Sequence, residues 1–595
     1  MAFSKRGNRT DRQARPWDRR APARQFERFQ LPGWSPALPG KSCSTPLLMA
    51  GLALALPLGA AELRPRFAAD PSADRLLTWE VVAGPAGWRV RDIDKTPVLE
   101  LTGPDGVVVP RPFYDDGTAL LVRHTPRLAG EWHWRLLDPA GRAAGEGAFT
   151  VAAPAAPLGP LRVSADNPRL LAFADGTPFI PIGPNVCWAD GPDHADGYER
   201  WLRTLADNGC NHTRVWMCSW SLGIEGDTPG AWRLERAAQL DRVLARAREL
   251  KLRLTLVLDN HTDLQEGTGC PYGATLEERQ KRFFDPELDP WWRQRVRYCL
   301  ARWGADDTVL AWEVMNEADL ALPVRERIIP WLRAALGFIG RNDPDRRLRT
   351  LSWCGSDWPR VVAAAQPDLV QVHSYVLEYA GVEEELKEPG RDGVGLVLSE
   401  TARAQPAGRP VFLGECGYQG RDDHNPGIAA DTGGMLMRQQ AWAGLLAGGC
   451  APAMPWWWYN HIEPNRLWKL WRPLAAAAAR IDWRDRDLAP LAPGAPPLRV
   501  LGWQSPRQAL LWPQLAADTW HAHLVAGRNR PGIAAGTRLR LAGLQAGRRF
   551  RVVAIDQLGS PERDLPDVVA GADGRGDLVL QAGPSDLVYW LAVRP

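Results

Sequence analysis

The chain has 595 residues, 45% hydrophobic and 24% charged, which excludes a disordered, collagen-like or coiled-coil protein and calls for two to four domains. The net charge of +3 is unevenly placed: residues 1–45 hold ten Lys/Arg against three Asp/Glu, a net of +7, which leaves −4 for residues 46–595 and no clustered basic surface for a nucleic acid. Trp is the compositional oddity, 29 against 9 Tyr and 13 Phe; so many indole faces suit a ligand with stackable apolar faces such as a sugar, core packing being the plain alternative.

In chain order, residues 46–61 (PLLMAGLALALPLGAA) form an uncharged apolar run between Lys41 and Glu62. It is shorter than the ~20 residues a membrane span needs, so no stable span is expected. Gly59 and Ala61 stand at −3 and −1 of a cleavage after Ala61, the pattern of a secretory signal and hence of export to the periplasm or medium; a tail with an apolar stub is the alternative. Residues 1–61 are therefore read as a leader. Cys43 precedes the apolar run; the other eight cysteines show no C-x-x-C or zinc-finger spacing, and one or two disulfides are compatible with export.

Residues 62–153 alternate in short runs such as LLTWEVV, PVLELTG, ALLVRHT and EWHWRLL, punctuated by GPDG, DDG and DPAG, which predicts a β-sandwich. A Pro/Ala linker (152–160) follows. Over 160–485 apolar strands alternate with amphipathic helices: strands are predicted at 178–186, 210–217, 252–258, 308–315, 349–354, 369–375, 410–415 and 450–457. The clearest helix carries Leu234, Ala237, Leu240, Val243, Leu244, Ala247 and Leu250 on one face. Eight such units predict a central (β/α)8 TIM barrel rather than a doubly wound sheet, which would usually need a Gly-rich phosphate turn. After a Pro-rich stretch (487–497), residues 498–595 read as a second β-sandwich, with strands at RVLGWQ, QALLWPQ, TWHAHLVAG, TRLRLAGL, RFRVVAIDQ, DLVLQAG and LVYWLAV.

Barrel chemistry sits at the C-terminal ends of the strands. Those ends carry Arg214 and Trp216 (second), Asp259, Asn260 and His261 (third), Asn316 and Glu317 (fourth), His373 and Tyr375 (sixth), Glu415 (seventh) and Trp456, Trp457 and Trp458 (eighth). Glu317 and Glu415 face each other across the barrel. Such a pair, one protonated and one ionised, is what glycosidic bond cleavage requires. Glu313 lies deeper in its strand and reads as structural. Strand alternation turns one or two of the three Trp rings inward, so Trp456 and Trp458 are the expected sugar-facing pair.

The segments RWGADDTVLAWEVMNEAD (302–319) and VFLGECGYQG (411–420) resemble the acid/base and nucleophile motifs of glycoside hydrolase clan A, and most of all the family 5 cellulase/mannanase-like barrels. GCNHTRVWM, VHSY and PWWWYNHI extend the resemblance over about 165–480, and residues 112–136 resemble a β-sandwich that often precedes such barrels. Cys416 stands where the family commonly has Phe. The resemblance implies that Glu317 is the acid/base, Asn316 binds the substrate 2-hydroxyl and Glu415 is the nucleophile, held ionised by Arg214. It implies that His373 and Tyr375 position the carboxylates and that His261 contacts the same sugar.

The expected activity is retaining hydrolysis of β-glycosidic bonds in a poly- or oligosaccharide, without a cofactor or metal. An inverting hydrolase differs only in carboxylate separation, and a non-catalytic carbohydrate-binding protein on the same barrel is the alternative of another class. No H-E-x-x-H, G-x-S-x-G or P-loop is present.

Overall fold

The computed structural model describes residues 62–67, 71–83, 88, 93–154, 159–267, 270–284, 289–321, 325–378, 382–404, 407–419 and 426–594. The leader and its cleavage site thus lie outside the described residues.

The first part of the chain folds as two four-stranded antiparallel sheets. One runs Glu62–Pro65, Leu77–Ala83, Leu120–His124, Tyr114–Asp115; the other runs Val108–Pro112, Val98–Thr102, Gly130–Leu137, Ala143–Val151. Alternation along each strand sends Leu99, Leu101, Val122, Trp132 and Leu136 into one shared core. Ala143–Val151, with five Ala or Gly residues and an internal Glu, carries too weak a pattern to be predicted and is nonetheless a full partner of Gly130–Leu137. Arginines fasten this unit to the next: both amino nitrogens of Arg127 contact Asp307 at 2.6 and 2.8 Å, and Arg111 Nη2 donates to Asp345 at 3.0 Å.

The central part closes a ring of eight segments. Four parallel strands are regular neighbours (His212–Trp216, Arg253–Val257, Val309–Glu313, Leu348–Thr350), and two more pair with each other (Val370–Val376, Val411–Tyr418). Leu369 N–H donates to the Arg349 carbonyl (3.2 Å) and His373 N–H to that of Trp353 (3.3 Å), joining the two groups. The ring is completed by 450–456 and 180–187. Met454 donates to Leu413 (2.9 Å), Asn185 to Pro455 (3.1 Å), and Trp216 to Cys187 (2.8 Å).

These last two segments were expected as ordinary strands and are not. Pro181, Pro184, Pro452 and Pro455 lack the N–H donors a ladder needs, so only scattered bonds remain. The start of the predicted first strand, Pro178–Phe179, belongs instead to a small antiparallel sheet with Leu161–Val163 and Leu171–Phe173. Its Leu171, Phe173 and Phe179 pack on Leu310, Leu348 and Phe412 and plug the N-terminal mouth of the barrel. The outer helix Leu234–Glu249 buries Ala237, Leu240, Val243, Leu244 and Ala247, the face its spacing predicts.

The last part has a six-stranded antiparallel sheet, ordered Ala489–Pro490, Leu498–Gln504, Gln508–Leu515, Leu587–Val593, Arg549–Asp556, Arg563–Val569, and a two-stranded one, Arg538–Leu541 with Gly576–Val579. One face of the large sheet shares a core with the small one, through Phe550, Val552, Leu578 and Leu591. Its other face, with Trp503, Trp512 and Val553, joins the barrel core. The segment TWHAHLVAG was predicted as a strand but forms a short helical turn, His521–Val525.

All eight described cysteines are free, so the one or two disulfides that export would permit do not form among them. A reducing agent should therefore leave the midpoint of thermal unfolding unchanged; a drop on reduction would reveal a crosslink. Among the described residues no helix is long and apolar enough to cross a membrane.

Candidate active site

The site is built outward from Arg214. Its strand turns the side chain into the barrel, where it is completely buried. Nε and Nη2 fork onto Glu313 at 2.9 and 2.8 Å, Nη2 also reaches Asn316 Oδ1 at 2.6 Å, and Nη1 donates to Glu415 Oε1 at 2.9 Å and to Asn185 Oδ1 at 3.0 Å. Burial opposes its charge, but Glu313 and Glu415 outweigh that and raise its pKa further. The expected Arg214–Glu415 contact is present. The sequence reading missed that Glu313 takes two donors of the fork; Glu313, read as structural, is buried and bound in this way.

Glu317 is fully buried, four residues past the end of its strand. Its φ is +45°, a left-handed conformation that non-glycine residues seldom adopt and that recurs at functional sites. Its N–H donates to Ser352 Oγ at 2.8 Å, which fixes the bend, and one carboxylate oxygen lies 3.1 Å from His373 Nδ1. His373 Nδ1 also lies 3.5 Å from Glu415 Oε2, so the ring stands between the two carboxylates; its Nε2 lies 3.0 Å from the Gln371 amide. Tyr375 O–H donates to Glu415 Oε2 at 2.5 Å. His261 Nδ1 lies 3.7 Å from Glu317 Oε2 and 3.3 Å from the Asn316 amide.

The structure thus brings Arg214, His261, Asn316, Glu317, His373, Tyr375 and Glu415 into one buried cluster. Asn185, Ser352 and Gln371 were missed. Asn185 had a signal, a lone amide at the end of the apolar run PFIPIGPNV, and its Nδ2 now donates to the Gly414 carbonyl at 2.8 Å.

The tryptophans correct the alternation argument. Trp458 is only 1% exposed and begins a helical turn (Trp458–Ile462), so it offers no face to a ligand. Trp457 has φ +65°, which breaks the strand period, and is the half-buried member of the three. Trp456 is buried and packs 5.5 Å from Trp216 and 5.6 Å from Trp188; Trp188, half-buried at the end of the first segment, was not anticipated.

One atom each of Glu317, His373 and Glu415 lies within 4.8 Å of the others, and among the described residues these three form a group that could hold a cation. An ion there would occupy both carboxylates, the two groups the bond-cleavage chemistry needs free.

The Glu415 carboxyl is pushed above the ordinary 4.5 of a glutamate. Burial is the main cause, and the negative Glu317 adds to it against the pull of His373, Arg214 and Tyr375. Two buried carboxyls this close titrate as a pair. Arg214 and Tyr375 both donate to Glu415, which favours its ionised form and limits that rise. A nucleophile at Glu415 would react in its ionised form, so kcat/KM is expected to fall with acid from a midpoint above 4.5. Replacing Tyr375 with Phe removes a donor to the carboxylate and should move that midpoint up; a pH profile unchanged by Tyr375→Phe would contradict the assignment.

Residues 173–460 match the family model for cellulase (glycosyl hydrolase family 5). That match, with the relatives below, supports a family 5, clan A glycoside hydrolase domain over this part of the chain. Among curated proteins it is 26% identical over 262 residues to mannan endo-1,4-beta-mannosidase 2 of Oryza sativa subsp. japonica, covering 36% of this chain and 59% of that one. Mannan endo-1,4-beta-mannosidase 1 of the same plant is 22% identical, covering 42% of this chain and 67% of that one. The chain thus spans about 59% of the length of the first of these relatives. In fold, it resembles a glycoside hydrolase family 5 protein of Bacteroides vulgatus ATCC 8482 (TM-score 0.51, 12% identity, 73% of this chain and 93% of that one). It also resembles a candidate glycoside hydrolase from the same bacterium (TM-score 0.57, 15% identity, 88% of this chain and 99% of that one). These neighbours imply a TIM barrel for the central family 5 domain.

Proposed function

We propose that the chain is an exported retaining glycoside hydrolase that cleaves internal β-1,4 bonds of a mannan-type polysaccharide by double displacement. The observation that carries the mechanism is the Glu317–His373–Glu415 cluster. One oxygen of each carboxylate lies within 4.8 Å of the other, which supports the close ~5–5.5 Å spacing of retaining enzymes over the ~6.5–9.5 Å of an inverting pair. Glu415 attacks the anomeric carbon while Glu317 protonates the leaving oxygen. Glu317 then takes a proton from water, and that water releases the sugar from Glu415. Arg214 and Tyr375 hold Glu415 ionised. Asn316 and His261 contact the sugar at its 2-position side, and the Trp188–Trp216–Trp456 cluster packs beside the site.

The substrate class is supported by the names of the plant relatives. A panel of galactomannan, glucomannan, carboxymethylcellulose, xylan and β-galactan tests it, with galactomannan expected to give the fastest release of reducing ends; no release from either mannan would overturn it.

The chain is read as a leader at 1–61, a β-sandwich at 62–153, the catalytic barrel at 160–485 and a second β-sandwich at 498–595. Export is supported by the basic leader and the small residues at the end of its apolar run. Mass spectrometry of protein from the native host should find a mature N-terminus near Glu62; intact residues 1–45 on cytoplasmic enzyme would contradict it.

A further inference from the structure

We infer that the C-terminal unit supports the active site: Trp520 is a positioning residue that, through Tyr418, sets the placement of Trp457 at the end of the strand that carries Glu415. After Gln508–Leu515 the chain leaves its sheet, turns at Asp518 and lays the turn His521–Val525 against the barrel. Trp520 is completely buried there, and its indole N–H donates to the Gly390 carbonyl at 2.9 Å. Its ring meets Tyr418 edge to face, 5.2 Å between centroids. The turn is anchored from below. Gln439 donates to the Asp518 carbonyl at 2.8 Å, and Arg530 clamps the Asp518 carboxylate at 2.6 Å.

Tyr418 is the last residue of the strand that carries Glu415, and both ends of its backbone and side chain are in use. The phenol donates to Asp431 at 2.8 Å, and the carbonyl accepts the Trp457 indole N–H at 2.7 Å. Trp457 sits at φ +65°, a conformation that persists only where the surroundings enforce it. Tyr418 supplies that restraint, and Trp520 supplies Tyr418 with its packing. The same cluster takes in Val376, the neighbour of the Glu415 donor Tyr375. Strands six and seven, which carry His373, Tyr375 and Glu415, therefore both end against a side chain from outside the barrel. This makes the C-terminal unit a brace for the strand ends that carry the candidate site and not a detachable appendage. The inference rests on the proposed function for its substrate only.

The test uses the full chain with Trp520→Ala, Trp520→Phe and the milder Leu524→Ala, a half-buried member of the same cluster. Loss of placement, with the carboxylates untouched, should raise KM for mannohexaose about tenfold in Trp520→Ala and lower kcat less than about threefold. Trp520→Phe keeps a ring against Tyr418 and should restore KM to within about twofold. Hydrogen exchange should quicken at 415–419 and 455–462 in Trp520→Ala and stay unchanged at 98–137. Where Trp520→Ala does not fold, Leu524→Ala should shift KM and exchange in the same direction. Unchanged KM and unchanged exchange at 455–462 would overturn the inference. So would a fall in kcat at constant KM that Phe does not rescue. A wild-type chain inactive on mannohexaose would overturn the substrate reading alone, and exchange at 455–462 would then decide the inference.

Discussion

Replacing Glu415 with Ala is expected to cut hydrolysis of the best substrate by roughly 10⁴–10⁶-fold, the loss usual for a nucleophile that works as part of a unit. The covalent intermediate should vanish. Azide, filling the space on the vacated face, should then give a glycosyl azide of inverted configuration. Replacing Glu317 with Ala should behave differently. An activated aryl glycoside, which needs no acid, should still glycosylate Glu415, and the intermediate should accumulate because water has lost its base. Azide, which needs no base, should restore turnover and give the retained anomer. The motivation is the asymmetry of the pair: Arg214 and Tyr375 both donate to Glu415, while Glu317 stands on a strained backbone beside His373. The same azide anomer from both variants would break the division of roles. Near wild-type activity in both would remove the pair from catalysis.

Arg214→Met carries the second large effect, on stability as well as rate. The guanidinium is the common partner of Glu313 and Glu415, both buried. Removing it strips Glu313 of its guanidinium partner and leaves Glu415 with His373 as its ion-pair partner, a change that costs about 3–5 kcal/mol where one partner of a buried pair is deleted. Chemical denaturation should show that loss, and kcat/KM should fall by roughly 10³-fold or more because Glu415 then favours its protonated form. Adding Glu313→Gln to Arg214→Met should recover part of the stability and none of the activity. An Arg214→Met enzyme with unchanged stability and activity within about tenfold would mean that the network does not govern Glu415.

Much of this site was legible because barrel chemistry lies at predictable places. A strand end can be read from an apolar run followed by a polar residue, which found Arg214, Asn316, Glu317, His373, Tyr375 and Glu415. What the sequence could not show was how one arginine divides its donors. Glu313 and Asn316 are three residues apart, and only their three-dimensional arrangement lets a single guanidinium reach both and Glu415. The tryptophan error has a local cause. A period of two was extended through Trp457, whose positive φ ends the strand there and buries Trp458. The strand expected at TWHAHLVAG failed for a long-range reason. Its alternation is real, but Trp520 finds its partners, Gly390 and Tyr418, on the barrel, and tertiary packing overrides the local pattern. Segments one and eight of the barrel hold their places although proline denies them a ladder, because their neighbours accept and donate around the gaps.

The assignment of Glu415 as nucleophile is tested most directly by trapping. The enzyme would be incubated with a 2-deoxy-2-fluoro-β-mannosyl donor bearing a good leaving group, digested, and sequenced by mass spectrometry. The fluorine slows both capture and release of the sugar, and the good leaving group restores the rate of capture alone, so the glycosyl-enzyme accumulates. One fluoromannosyl group per chain is expected, on the peptide spanning 411–418 and on Glu415 itself, with activity lost in step with labelling. A label on Glu317, or full turnover of the donor without any labelled chain, would contradict the account.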